Sequence, residues 1–146
     1  MEKTLIIVPS GQAIKKDSNE DGTVISAQDA FVGTPFKLAK KFAETFGDYW
    51  VILNPVLGFI RPEDEIDLDA LNEYGVNAKK TKSGNSNNFV VSLNTLRNQA
   101  VDNGFYMYDK VLGLGGKAYR EYIEKTNRFF PSPSALMRGF RSRYQE

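Results

Sequence analysis

Ala30-Phe31-Val32-Gly33-Thr34-Pro35-Phe36-Lys37-Leu38 joins a polar loop to an amphipathic helix, and the rest of the chain is arranged around that join. Thr34 is a good N-cap, and Pro35 suits the first helical position, where its missing N–H would be unpaired anyway. Phe36, Ala39, Phe42 or Ala43, and Phe46 recur at helical spacing, and Gly47 supplies the stop. Phe31 stands just ahead of the cap, with Gly33 close behind. A helix N-terminus presents free N–H groups and partial positive charge, so an aromatic beside it could hold a base or a phosphate. The competing reading is a hydrophobic staple, with Phe31 packed against the helix it precedes.

Working outward, three short apolar runs read as buried strands. They are Thr4–Val8, Tyr49–Leu53 and Lys110–Leu114. Pro9-Ser10-Gly11 ends the first, and a long polar loop reaches from about Ser10 to Gln28, carrying Lys15, Lys16, Asp17, Glu20 and Asp21. Loops of that length inside a domain are often functional. The second strand ends at Asn54-Pro55. An Asn there sits where open α/β sheets place ligands, and its amide offers donors and an acceptor for a base edge. Asn before Pro is equally a turn former. Val56–Pro62 reads as an apolar loop. Glu63–Leu71 is acidic, with a short helix near Asp67, and lacks the alternation of a calcium loop.

Residues 77–88 hold Lys79, Lys80 and Lys82 among Ser and Asn, a basic surface loop that could follow a phosphate backbone. Phe89, Leu93, Leu96 and Ala100 mark an amphipathic helix stopping at Gly104. Gly115-Gly116 turns the third strand into a helix from about Lys117 to Lys125, loosely like a phosphate-binding turn. Phe129-Phe130-Pro131-Ser132-Pro133-Ser134 leads into a last helix with Arg138, Arg141 and Arg143 on one side. From Lys117 onward seven Lys and Arg face three Glu, the one clear charge asymmetry in a chain of net charge +1.

Strands alternating with helices predict an α/β fold with a mostly parallel central sheet, in one domain spanning 1–146. The 146 residues are 41% apolar and 25% charged, a globular balance. The chain has no Cys and no His. That removes disulfides, thiolate metal sites, cysteine nucleophiles, the usual general base and the commonest metal ligand. No apolar run is long enough for a membrane span, and no leader is visible, so a soluble cytoplasmic protein without cofactors is expected.

In their order, these segments resemble the uracil-DNA glycosylase superfamily, especially its short bacterial and archaeal branches. That family opens with a strand and a Gly-Glu-Ala or Gly-Gln-Asp turn, and Ile7-Val8-Pro9-Ser10-Gly11-Gln12-Ala13 is similar. Its Pro-Phe-Val-Gly helix entrance compares with Ala30-Phe31-Val32-Gly33. Its strand ending in Asn compares with Val51-Ile52-Leu53-Asn54, followed by Arg61-Pro62. Leu114-Gly115-Gly116-Lys117-Ala118 matches a Leu-Gly-x-x-Ala strand and helix, and Phe130-Pro131-Ser132-Pro133 stands for His-Pro-Ser-Pro. A second resemblance, through Ile52–Ile66, is to the peroxide-stress YaaA-like proteins, which are also linked to DNA.

The resemblance implies a three-layer sandwich and a set of roles. Phe31 would stack on a flipped base, Asn54 would read its edge, and Gly11-Gln12-Ala13 would lie beside the sugar. Phe130 would line the base. Lys117, Ser132, Ser134, Arg138 and Arg141 would meet the DNA backbone. Base extrusion in such enzymes costs a few kcal/mol of unstacking. The departures bear on the chemistry. N-glycosidic cleavage leaves negative charge on the base, and the family's His, which would donate to it, is Phe130 here. Losing one such donor typically lowers the rate by about two to three orders of magnitude. Gln12-Ala13 also lacks the family's carboxylate. Gln12 could orient a water, and Asp17, Glu20, Asp21 or Asp29 could supply a base. The expected function is therefore nucleic-acid or nucleobase binding with weak or absent cleavage. The alternatives are an active glycosylase on a modified base, or a non-catalytic module with a protein partner.

Overall fold

The computed structural model describes residues 3–11, 13–15, 24–71, 90–116, 119 and 123. Its centre is β1 (Thr4–Pro9), in which five consecutive residues are buried. A strand buried on both faces must be apolar on both, which is why this run shows no alternation. β1 pairs in parallel with β3 (Tyr49–Asn54), Leu5 opposite Tyr49, and with β6 (Lys110–Gly113), Leu5 opposite Val111. β4 (Gly58–Ile60) adds to the other side of β3 in antiparallel, giving the order β4-β3-β1-β6. The protein is thus a mixed α/β fold with a four-stranded, mostly parallel sheet.

Alternate residues of β1 serve different faces. Ile6 and Val8 pack with Phe36, Ala39 and Ala43 of α2 (Thr34–Phe46). Leu5 and Ile7 pack with Leu96 and Ala100 of α3 (Leu93–Asp102), and with Phe105 and Ile123. Ser92 caps α3 by accepting the Thr95 N–H at 3.0 Å. Leu93 is 38% exposed, so the buried stripe of α3 is Leu96 and Ala100 alone. Phe89 lies outside the described residues.

Several sequence expectations are corrected. The N-cap of α2 is Gly33, not Thr34, and no side chain caps it; Pro35 does sit in the first turn. Phe46, expected on the packed face, is 55% exposed. Residues 24–26 of the expected polar loop form β2 (Val24–Ser26), which leads directly into α1 (Ala27–Ala30). β2 pairs in antiparallel with β5 (Glu65–Asp67). Glu65-Ile66-Asp67 alternates exposed, buried, exposed, the period of a half-buried strand, which its acidic composition concealed. The helical turn expected near Asp67 follows it at residues 68–71. The expected apolar loop 56–62 contains β4. Among the described residues no helix is long and apolar enough to cross a membrane.

Candidate functional site

The carboxyl ends of β1, β3 and β6 lie side by side, with Ser10 and Gly11, Asn54, and Leu114 and Gly115 at or just beyond them. The chain leaving β1 reaches α2 on one face, and Ile123, beyond β6, packs on the other. Divergence of this kind marks the end of the sheet at which α/β folds bind ligands. Ser10 and Asn54 are the buried polar residues here, at 0% and 4% exposure.

Asn54 forms the turn its sequence allowed. Its Oδ1 accepts the N–H groups of Val56 at 2.8 Å and Leu57 at 2.9 Å, turning the chain from β3 into β4. Those two donors fix the amide orientation, because a flipped carboxamide would set N–H against N–H. Its Nδ2 donates to Ser10 Oγ at 3.0 Å. A carboxamide nitrogen has two hydrogens, and the second has no partner among the described residues. The expectation that Asn54 offers donors and an acceptor is therefore corrected. The acceptor is fully used by the turn, and a single donor remains.

Ser10 is tied at both ends. Its N–H donates to the Leu53 carbonyl at 3.0 Å, and its hydroxyl donates to the Gly11 carbonyl at 3.0 Å. Gly11 takes a left-handed φ of +72°, which suits glycine in this tight exit from β1. Tyr119, beyond β6, completes the cluster. Burial raises its phenol above the usual range, opposed by hydrogen bonds from the Ser10 hydroxyl and the Gly11 backbone. The Ser10 hydroxyl has one hydrogen, so it serves either the Gly11 carbonyl or the Tyr119 oxygen at a given moment. Gly115 lets Tyr119 approach closely. A Cβ there would lie 3.0 Å from the Tyr119 Cβ and 3.2 Å from the Pro9 ring, at a φ of +128°.

The phenol shift has a stability consequence with a definite sign. A folded pKa above the unfolded value of 10.0 means the unfolded chain loses its proton first as pH rises. Tyr119 therefore stabilises the fold fully below pH 10, and that contribution is lost as pH climbs through the folded value. Denaturant titrations at rising pH should show stability falling from pH 10 upward, and Tyr119→Phe should flatten the fall.

Phe31 is placed differently from the stacking role. Its ring is 2% exposed and lies 5.6 Å from the Phe36 ring, centroid to centroid. Residues 13–15 run across it: Lys15 N–H donates to the Ala30 carbonyl at 2.8 Å, and Val32 N–H to the Ala13 carbonyl at 3.0 Å. The open stacking face is thus covered, and Phe31 packs as a staple does. Asp29 is exposed and accepts the Ser26 hydroxyl at 2.9 Å. Its helix α1 is tied at Ala27 and Gln28 to the carbonyls of Asp64 and Pro62. Among the described residues no hydrogen bond or ion pair joins Asp29 to Ser10, Gly11 or Asn54. Gln12, Lys117, Phe130, Ser132, Ser134, Arg138 and Arg141 lie outside the described residues, as do Asp17, Glu20, Asp21 and the 77–88 loop.

Of the residues at this strand end, Gly11 and Asn54 are named by the sequence and Ser10 and Tyr119 are not. Ser10 carried a signal: a Ser directly after a buried strand, at the crevice end.

No protein-family model matches the chain, and no solved structure matches it. The chain is similar to the "Uncharacterized protein YfjM" of Bacillus subtilis strain 168, at 31% identity over 121 residues, covering 83% of this chain and 75% of that protein.

Proposed function

The chain belongs to the YfjM family, and we propose that its crevice binds a nucleobase, alone or within a nucleic acid, with weak or absent N-glycosidic cleavage. The observation that carries this reading is the Asn54 carboxamide, 4% exposed with one hydrogen to spare at the carboxyl end of β3. A buried unpaired donor costs about 1 to 3 kcal/mol, so a ligand acceptor there is rewarded. With no free acceptor, Asn54 favours a carbonyl oxygen or ring nitrogen over an exocyclic amine. A uracil-like or thymine-like edge fits that requirement. The fold we propose for the whole chain is a three-layer, uracil-DNA glycosylase-like sandwich. The parallel β1, β3 and β6 with helices on both faces support it.

Cleavage is the weaker part of the chemistry. In the resemblance to the uracil-DNA glycosylases, Phe130 stands where those enzymes have His and Gln12-Ala13 where they have a carboxylate, so neither the leaving base nor the attacking water has its usual partner. The basic residues Lys117, Arg138 and Arg141, with Ser132 and Ser134, are the proposed backbone contacts.

The test is fluorescence anisotropy on labelled single- and double-stranded DNA, with and without one uracil, at two salt concentrations. Salt-sensitive binding that tightens with uracil is expected. Asn54→Asp is the decisive variant. Its carboxylate still accepts from Val56 and Leu57, and can accept from Ser10, but it offers a base carbonyl no donor. It should erase the uracil preference, a loss of roughly tenfold or more, and leave the salt-dependent component in place. No binding at low salt, or an unchanged uracil preference in Asn54→Asp, would overturn the reading.

A further inference from the structure

A cleft of about 480 Å³ lies between β4, β5 and the helical turn at 68–71, and shares Leu57 with the Asn54 turn. Its floor is Leu57, Ile60, Ile66 and Leu71, and Glu65 and Asp67 stand exposed on its rim. The volume falls in the range of real binding pockets, roughly 300 to 1,000 Å³. The charge around it is one-sided. Among the described residues, 62–71 hold five acidic residues and no basic one, and Arg61 itself is paired with Asp64 at 3.2 Å. Such a rim repels nucleic acid and attracts cations.

We propose that this cleft docks a basic, amphipathic helical segment of a partner protein. The helical form follows from the state of the neighbouring sheet edge. An extended peptide would need the outward backbone groups of β4. The Phe59 N–H and the groups flanking β4 at Leu57 and Arg61 are already engaged. Gln99 Oε1 accepts the Phe59 N–H at 2.8 Å, and Gln99 Nε2 donates to the Leu57 carbonyl at 3.0 Å. Asp64 accepts the Arg61 N–H through Oδ2 at 3.0 Å and donates its own N–H to the Arg61 carbonyl at 3.0 Å. An occupant therefore engages by inserting side chains. Apolar residues of one helix face fill the Ile60 and Leu71 floor, and flanking Lys or Arg meet Glu65 and Asp67. The acidic rim makes this a protein-facing surface.

The test uses full-length protein with labelled methyl groups. It is titrated with a synthetic helix carrying Leu at i, i+3, i+4 and i+7 and Lys elsewhere, and with a counterpart in which Glu replaces Lys. The Lys peptide is expected to shift the methyl signals of Leu57, Ile60, Ile66 and Leu71 and to weaken with salt. Ala70 is exposed on the turn lining the cleft, so Ala70→Trp should fill the cleft without disturbing the core and abolish those shifts. Glu65→Lys combined with Asp67→Lys should weaken binding roughly tenfold or more. Equal binding of the Glu peptide, shifts centred elsewhere, or indifference to Ala70→Trp would overturn the proposal. So would a dimer in sedimentation that Glu65→Lys dissociates, because that would assign the cleft to a second copy of this chain. Because no DNA is present, failure here leaves the uracil titration untouched.

Discussion

Phe31→Ala is expected to lose about 3 to 5 kcal/mol of stability, the range for truncating a buried Phe. The ring is 2% exposed and begins an aromatic row, 5.6 Å from Phe36, which is in turn 6.4 Å from Trp50. Removing it opens a cavity where residues 30–32 meet the N-terminus of α2, and neither Ala13 nor Ile14 is large enough to fill it. Domains of this size hold about 5 to 15 kcal/mol in all, so the variant should be marginal in urea unfolding. A loss under about 1 kcal/mol would mean the ring is not core, and would return Phe31 to the base-stacking role. Phe31→Leu separates the two roles. It keeps most of the apolar volume and should stay folded. Uracil-dependent binding that survives in Phe31→Leu would place Phe31 purely in the core. Loss of that binding in a folded Phe31→Leu protein would make the ring part of the pocket wall as well.

What the sequence revealed follows from how each element is stabilised. β1, β3 and β6 were legible because strands buried on both faces must be continuous apolar runs, and Leu5–Val8, Val51–Leu53 and Val111–Leu112 are. α2 was legible because it packs one face, and Phe36, Ala39 and Ala43 recur on it. The three-residue strands β2, β4 and β5 were not. Each is stabilised by its partner strand rather than by its own pattern, and β4 begins with a glycine that reads as a turn. The site divides in the same way. Asn54 could be found because it directly ends a recognisable strand. Tyr119 could not, because only the pairing of β6 beside β1 brings it to Ser10 and Gly11. Phe31 was ambiguous for a physical reason: a staple and a stacking platform use the same residue at the same spacing, and only burial separates them.

Gly58→Ala is expected to cost about 3 kcal/mol, from two terms that share one cause. Gly58 has a φ of +82°, where a Cβ adds about 1 to 2 kcal/mol of strain. That Cβ would also collide with the carboxamide oxygen of Gln99. The same oxygen accepts the Phe59 N–H, and the same carboxamide donates to the Leu57 carbonyl. Displacing it leaves half-buried backbone groups unpaired, at about 1 to 3 kcal/mol. Gln99→Ala alone should cost about 2 kcal/mol by losing both bonds. The double variant is the sharper measurement. With Gln99 truncated the new methyl meets no carboxamide, so the two losses should fall short of additive by about 1 kcal/mol or more. Strict additivity in urea unfolding would mean that Gln99 does not close this edge. The consequence reaches the crevice, because Leu57 also donates its N–H to Asn54 Oδ1. A shifted Leu57 loosens the turn that aims the Asn54 carboxamide. Gly58→Ala should therefore blunt the uracil preference as well as the stability, whereas Ala70→Trp, at an exposed position in the turn at 68–71, should leave that preference intact.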